Sequence, residues 1–181
     1  MKKVILIILI AVMPLVGFSQ SIFDKYENHD EVAFVSISPK MFKLLSGISA
    51  ESDDPEAQAF FDLVNSITSF KVITTEDGPI AKDIQGWVSS HLRSASLDEL
   101  MRVREGDSNV RIYVQEGKDE HHVKELLMIV TGMKDVNVNG KNFETVLLSL
   151  TGNIDLRKIG ELTDKMDIPG GKQLKKASKN R

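Results

Sequence analysis

Two runs joined by a short polar stretch decide the fold: Glu99-Leu100-Met101-Arg102-Val103-Arg104-Glu105 and Asn109-Val110-Arg111-Ile112-Tyr113-Val114-Gln115-Glu116. Upstream of about residue 98, apolar residues recur at helical spacing. In these runs the period becomes two, the signature of strands with one face turned inward. Gly106-Asp107-Ser108-Asn109 lies between them and has hairpin composition. A two-residue turn at Asp107-Ser108 predicts Glu105 opposite Val110, Val103 opposite Ile112 and Met101 opposite Val114. That register puts Met101, Val103, Val110, Ile112 and Val114 on one apolar face. The other face receives Arg102, Arg104, Arg111 and Tyr113, with Arg104 directly opposite Arg111. Like charges in that position are unfavourable unless an acid or a ligand intervenes.

Downstream, Val123–Thr131 and Phe143–Thr151 read as two more strands, largely apolar on both alternations, with a turn-rich stretch containing Asn139-Gly140 between them. Asp155 is expected to cap a last helix carrying Leu156, Ile159, Leu162 and Met166, and Pro169-Gly170-Gly171 stops it. Upstream, Val32–Ser38 reads as a strand covered on both faces. Ser38-Pro39 and Asp54-Pro55 each read as an N-cap followed by a first-turn proline. The helices they open carry Met41, Phe42, Leu44, Leu45 and Ile48, then Phe60, Leu63, Val64 and Ile67. Ser69–Thr75 is a second strand. A third helix after Gly78-Pro79 carries Ile80, Ile84, Trp87, Val88 and Leu92.

This order implies an α+β fold with an antiparallel or mixed sheet. Four C-terminal strands form a meander, one or two N-terminal strands join it, and the helices pack mainly on one face. Residues 20–169 are expected to form a single domain.

The first residues read as an address. Met1-Lys2-Lys3 is followed by thirteen apolar residues, Val4 to Val16, too few for the roughly 18 or more of a spanning helix. Gly17 and Ser19 suit a cleavage site after Ser19, so residues 1–19 are expected to be a signal peptide and Gln20 the mature N-terminus. An uncleaved anchor is the weaker alternative. The chain has no cysteine, which excludes a lipoprotein, disulfides, thiolate nucleophiles and iron–sulfur clusters. The expected location is the periplasm or cell envelope.

Residues 20–169 hold sixteen Lys and Arg against twenty-six Asp and Glu, a net charge of −10. Residues 170–181 hold five basic residues and no acid, and are expected to be a disordered, solubilising tail rather than a lipid contact. An acidic body argues against nucleic acid as a partner.

Catalytic motifs are absent: no G-x-S-x-G, no P-loop, no G-x-G-x-x-G and no H-E-x-x-H. If the strand reaches His121 and His122 they point to opposite faces and could not chelate one metal together; in the loop a chelate with Glu120 is conceivable, and the favoured reading is solvated loop histidines. Glu51, Asp53, Asp54 and Glu56 read as a cap and first-turn acids rather than a calcium site. No catalytic, cofactor or metal residues are therefore assigned.

The candidate interaction face is Arg102, Arg104, Arg111 and Tyr113, three arginines in an otherwise acidic body. It would suit an acidic protein partner or an anionic envelope component. The competing explanation is that Glu125 and Glu144, on the later strands, neutralise it.

Four segments in order carry a resemblance: Leu97-Asp98-Glu99-Leu100-Met101, Asn109-Val110-Arg111-Ile112-Tyr113-Val114, Val123-Lys124-Glu125-Leu126-Leu127 and Leu150-Thr151-Gly152-Asn153-Ile154-Asp155-Leu156. Over about residues 21–168 the chain resembles the exported domain of unknown function numbered 4252, found in Bacteroidota. The resemblance implies export and a link to envelope stress; it implies no activity and supplies no catalytic residues. The expected function is a non-enzymatic binding or interaction domain. Two alternatives stand beside it: a carrier with an apolar pocket lined by Phe42, Phe60, Phe61 and Trp87, and a hydrolase of unrecognised geometry.

Overall fold

A computed structural model describes residues 21–48, 55–138 and 141–159. The elements in chain order are α1 (Ile22–Tyr26), β1 (Val32–Ile37), α2 (Pro39–Ile48), α3 (Pro55–Ser66), β2 (Ile67–Thr75), α4 (Gly78–Ser94), β3 (Asp98–Glu105), β4 (Ser108–Glu116), β5 (His122–Val138) and β6 (Lys141–Asp155). A helical turn begins at residues 156–159. The expected leader, the acids Glu51, Asp53 and Asp54, the helix positions Leu162 and Met166, and the basic tail lie outside the described residues.

The fold is α+β. All six strands join one open antiparallel sheet in the order β1-β2-β6-β5-β4-β3. β3 to β6 run as a meander, and β6 continues onto β2, which carries β1 at the far edge.

Helices cover both faces of this sheet, which corrects the expectation of one covered face. On one face Ile73, Tyr113, Leu127, Ile129 and Leu147 pack with Ile22, Phe23 and Tyr26 of α1 and Ile80, Ile84 and Val88 of α4. On the other, Ile112, Val114, Leu126 and Ile154 pack with Leu63 of α3 and with Leu156 and Ile159. The reason is visible in the central strands. β5 and β6 are apolar at both alternations, with Leu126 and Leu127 both buried and Leu147 flanked by Val146 and Leu148. Such strands leave an apolar face in water unless a helix layer lies on each side. Burial of this area from both sides is the main stabilising term, at about 25 cal/mol per Å² of apolar surface.

α4 forms where its start signals and its stripe agree. The Asp77 carboxylate accepts from the Ile80 N–H at 2.7 Å, Pro79 sits in the first turn, and Ile80, Ile84 and Val88 face inward. α1 is an element that the sequence pattern does not announce. Its five residues are too few to show a period, yet Ile22, Phe23 and Tyr26 are all buried. It is tied to α4 at one carboxylate: Asp83 accepts from the Tyr26 hydroxyl at 3.0 Å and from Lys25 Nζ at 2.8 Å. Lys25 holds the Asp83 carboxyl below its ordinary range, and burial pushes the Tyr26 phenol up.

The β3–β4 hairpin turns two residues' worth of register away from the expected pairing. Glu105 stands opposite Ser108, Val103 opposite Val110 and Met101 opposite Ile112. The loop is therefore Gly106-Asp107. Gly106, at φ +57, supplies the positive φ that tight hairpin loops need at this position. A slip of one residue would exchange the two faces; this shift of two preserves them. Gly132 on β5 lets the turn approach: it has φ +75, and a Cβ there would run into the Asp107 carbonyl.

Candidate anion-binding cleft

Arg102, Arg104, Arg111 and Tyr113 share the sheet face that carries α1 and α4. In the observed register Arg102 is directly opposite Arg111, and Arg104 is opposite Asn109. The like-charge contact expected between Arg104 and Arg111 thus falls on Arg102 and Arg111, because the turn is displaced.

A β-bulge answers the charge. Residues three apart on a regular strand point to opposite faces. Here the register shifts between Glu99 and Met101, so Glu99 pairs with Tyr113 while Arg102 pairs with Arg111. Glu99 and Arg102 are brought to one face, and the Arg102 guanidinium donates to Glu99 Oε2 at 2.6 Å. The counter-charge comes from the same strand. Glu125, expected to supply it, is committed elsewhere, and Glu144 falls on the opposite face by register.

The four residues then differ in availability. Arg104 is exposed. Arg102 is exposed but engaged by Glu99. Tyr113 is only 6% exposed and packs in the core beneath α4, where it lines the cleft described next. Arg111 is half-buried. Its Nε and Nη2 donate to the Asn109 side-chain oxygen at 3.2 and 3.0 Å when that amide presents its oxygen to the guanidinium.

Arg111 opens onto a cleft of about 140 Å³ between α4 and the hairpin. Its walls are Gln85, Val88, Ser89 and Leu92 of α4, Asn109, Arg111 and Tyr113 of β4, and Ile129 and Thr131 of β5. Val88, Leu92, Ile129 and the Tyr113 ring make an apolar floor. Gln85, Ser89, Asn109 and Thr131 offer polar groups around the guanidinium. No carboxylate lines it. A guanidinium held by a neutral amide over an apolar floor keeps a fork of donors for a carboxylate or phosphate oxygen pair.

Gln85, Ser89 and Asn109 were not singled out in the sequence. Asn109 could have been, since it stands two residues before Arg111 and shares its face.

A second polar group lies under α4. Glu125, 9% exposed, accepts from Ser149 Oγ at 3.2 Å and lies 3.1 and 3.2 Å from His91 Nε2. His91 stacks on Trp87 with ring centroids 4.5 Å apart. The carboxylate sits between imidazole and hydroxyl, so the imidazole has no hydrogen bond to Ser149 through which to take its proton. That order differs from the nucleophile–base–orienter sequence of a hydrolytic triad. The signal for a buried acid was present: Glu125 shares its strand face with Leu127, which is fully buried.

His122 opens β5, with Nδ1 2.7 Å from Asp119 Oδ1, and His121 lies 3.4 Å from Glu120. Among the described residues no group of three His, Asp or Glu could hold a metal ion. The supposed aromatic pocket is not one place. Trp87 lies on α4 and packs on one face of the sheet, whereas Phe60 and Phe61 belong to α3, whose Leu63 packs on the other face, and Phe42 belongs to α2, which packs on α3.

The model of the family described as Domain of unknown function (DUF4252) matches residues 26–162, and the chain belongs to that family. No curated protein and no solved structure matches it. Among the described residues no helix is long and apolar enough to cross a membrane.

Proposed function

We propose that this chain is an exported, non-enzymatic binding domain that holds an acidic side chain or terminal carboxylate of a protein partner in the α4–hairpin cleft. The observation that carries the reading is Arg111. Its guanidinium faces a cleft without carboxylates, in a body of residues 20–169 whose net charge is −10. Arg104 lies on the same face and adds to the local field. A small cleft with one guanidinium and an apolar floor suits a single acidic group carried on a protein. An anionic bilayer would meet the repulsion of the whole body. Export is supported by the basic-then-apolar start and the small residues before Gln20.

The test is cross-linked capture from the native envelope fraction. Wild type runs beside the Arg102→Glu/Arg104→Glu/Arg111→Glu variant, with folding verified by circular dichroism. A partner retained by wild type and lost by the folded variant supports the reading. Equal capture by both rejects the arginine face as the site.

A further inference from the structure

The two edges of the sheet are built differently. β3 carries Asp98, Glu99, Arg102, Arg104 and Glu105 and a bulge at Leu100, the devices that keep an edge from pairing with another chain. β1, Val32-Ala33-Phe34-Val35-Ser36-Ile37, has no charge, no proline and no bulge, and it pairs with β2 in unbroken register. Among the described residues no strand pairs with its outer edge, which carries none of those devices. On one face beside it, Val35 is 51% exposed, and Met41 and Leu44 of α2, the next element, are 49% and 61% exposed.

We propose that β1 pairs antiparallel with β1 of a second copy of this chain, joining two six-stranded sheets into one. The ends of the strand favour a second copy. Asp30 and Glu31 precede β1, and Lys40 follows it; all three are exposed. Antiparallel self-pairing lays the start of one strand beside the end of the other. With Val35 opposite its own counterpart, the Asp30-Glu31 end of each β1 comes beside the end of its mate's β1, from which Lys40 opens α2. A two-fold axis perpendicular to the sheet also keeps each helix layer on its own side, so Val35, Met41 and Leu44 of both copies gather on one face. The arginine clefts stay at the two outer ends, so this pairing does not depend on their function.

The test is the mass in solution, measured by sedimentation across a dilution series, of protein expressed with its own leader. Wild type is expected at twice the monomer mass. Val35→Lys, which sets two lysines face to face, and Lys40→Asp, which brings like charges to the same end of the paired strands, should each raise the dissociation constant at least ~tenfold. The exchange Asp30→Lys/Lys40→Asp should restore the dimer. Circular dichroism on each variant separates lost pairing from lost fold, and Lys40 is exposed enough to leave the fold alone. A wild-type monomer at every concentration overturns the proposal, whatever covers the edge instead. So does a dimer indifferent to Val35→Lys, or a charge exchange that fails to restore what Lys40→Asp removes.

Discussion

Arg102 and Arg111 stand directly opposite each other across the β3–β4 ladder, and a bulge at Leu100 brings Glu99 to within 2.6 Å of Arg102 on that same face. One guanidinium of the opposed pair is thereby neutralised from its own strand. The other, Arg111, is held by an amide and keeps its charge for the cleft.

Replacing Glu99 by Gln removes that neutralisation and leaves two arginines facing each other. The urea midpoint should fall at low ionic strength, and the deficit should shrink as salt is added, because exposed charges are screened over about 10 Å at 0.1 M. A deficit independent of salt would mean that Glu99 acts by shape rather than by charge.

Asp155 is held at a pKa of about 2 by the Arg157 guanidinium beside it, and its carboxylate also accepts from the Arg157 backbone N–H at 3.0 Å. A carboxyl whose folded pKa is depressed stabilises the fold above its unfolded pKa and loses that contribution as pH falls through the folded value. Asp155→Asn should therefore cost about 2 kcal/mol near neutral pH. Wild type and variant should converge as pH falls from about 4 to about 2. Denaturant titrations at stepped pH would show it, and a constant gap would refute the assignment.

Three glycines should respond differently to alanine. Gly132→Ala drives a methyl into the Asp107 carbonyl at a positive φ and should cost about 2 kcal/mol or more. Gly106→Ala meets open space at φ +57 and should cost about 1 kcal/mol. Gly86→Ala, in the middle of α4 with open space before it, should gain about 0.5–1 kcal/mol. Thermal midpoints in one buffer would rank all three.

Ile84 is fully buried where α4 meets the sheet. Ile84→Ala should cost about 2–5 kcal/mol. It should also loosen the cleft, whose wall is the same helix. Amide exchange along β4 should speed up with the loss; a change confined to α4 would detach the helix from the cleft.

Much of this fold was legible from periodicity. The switch at residue 98, the capped start of α4 and the apolar face of the hairpin all follow from local pattern. What was misread depended on contacts far apart in the chain. The turn falls at Gly106-Asp107, with Gly106 at positive φ, and its close approach to Gly132 exists only in the folded sheet. The bulge at Leu100 carries no local signal and decides which acid reaches Arg102. The two helix layers were implicit in the doubly apolar strands, especially Leu126-Leu127, yet the strand order that spreads the helices over both faces emerges only from the assembled sheet. Tyr113 looked available beside the arginines because a single strand does not show the helix above it.

The most direct test of the binding claim is a photo-cross-linking residue placed at Gln85, on the rim of the cleft. A matched residue at Asn65, exposed on α3 in the opposite layer, is the control. Both proteins are irradiated in the cells that make them, and the adducts are mapped by mass spectrometry. The account predicts one adduct at Gln85, to a segment bearing an acidic residue or a chain terminus, absent at Asn65 and lost when Arg111→Glu is added. Adducts equal at both positions, or an adduct at Gln85 that survives Arg111→Glu, would contradict it.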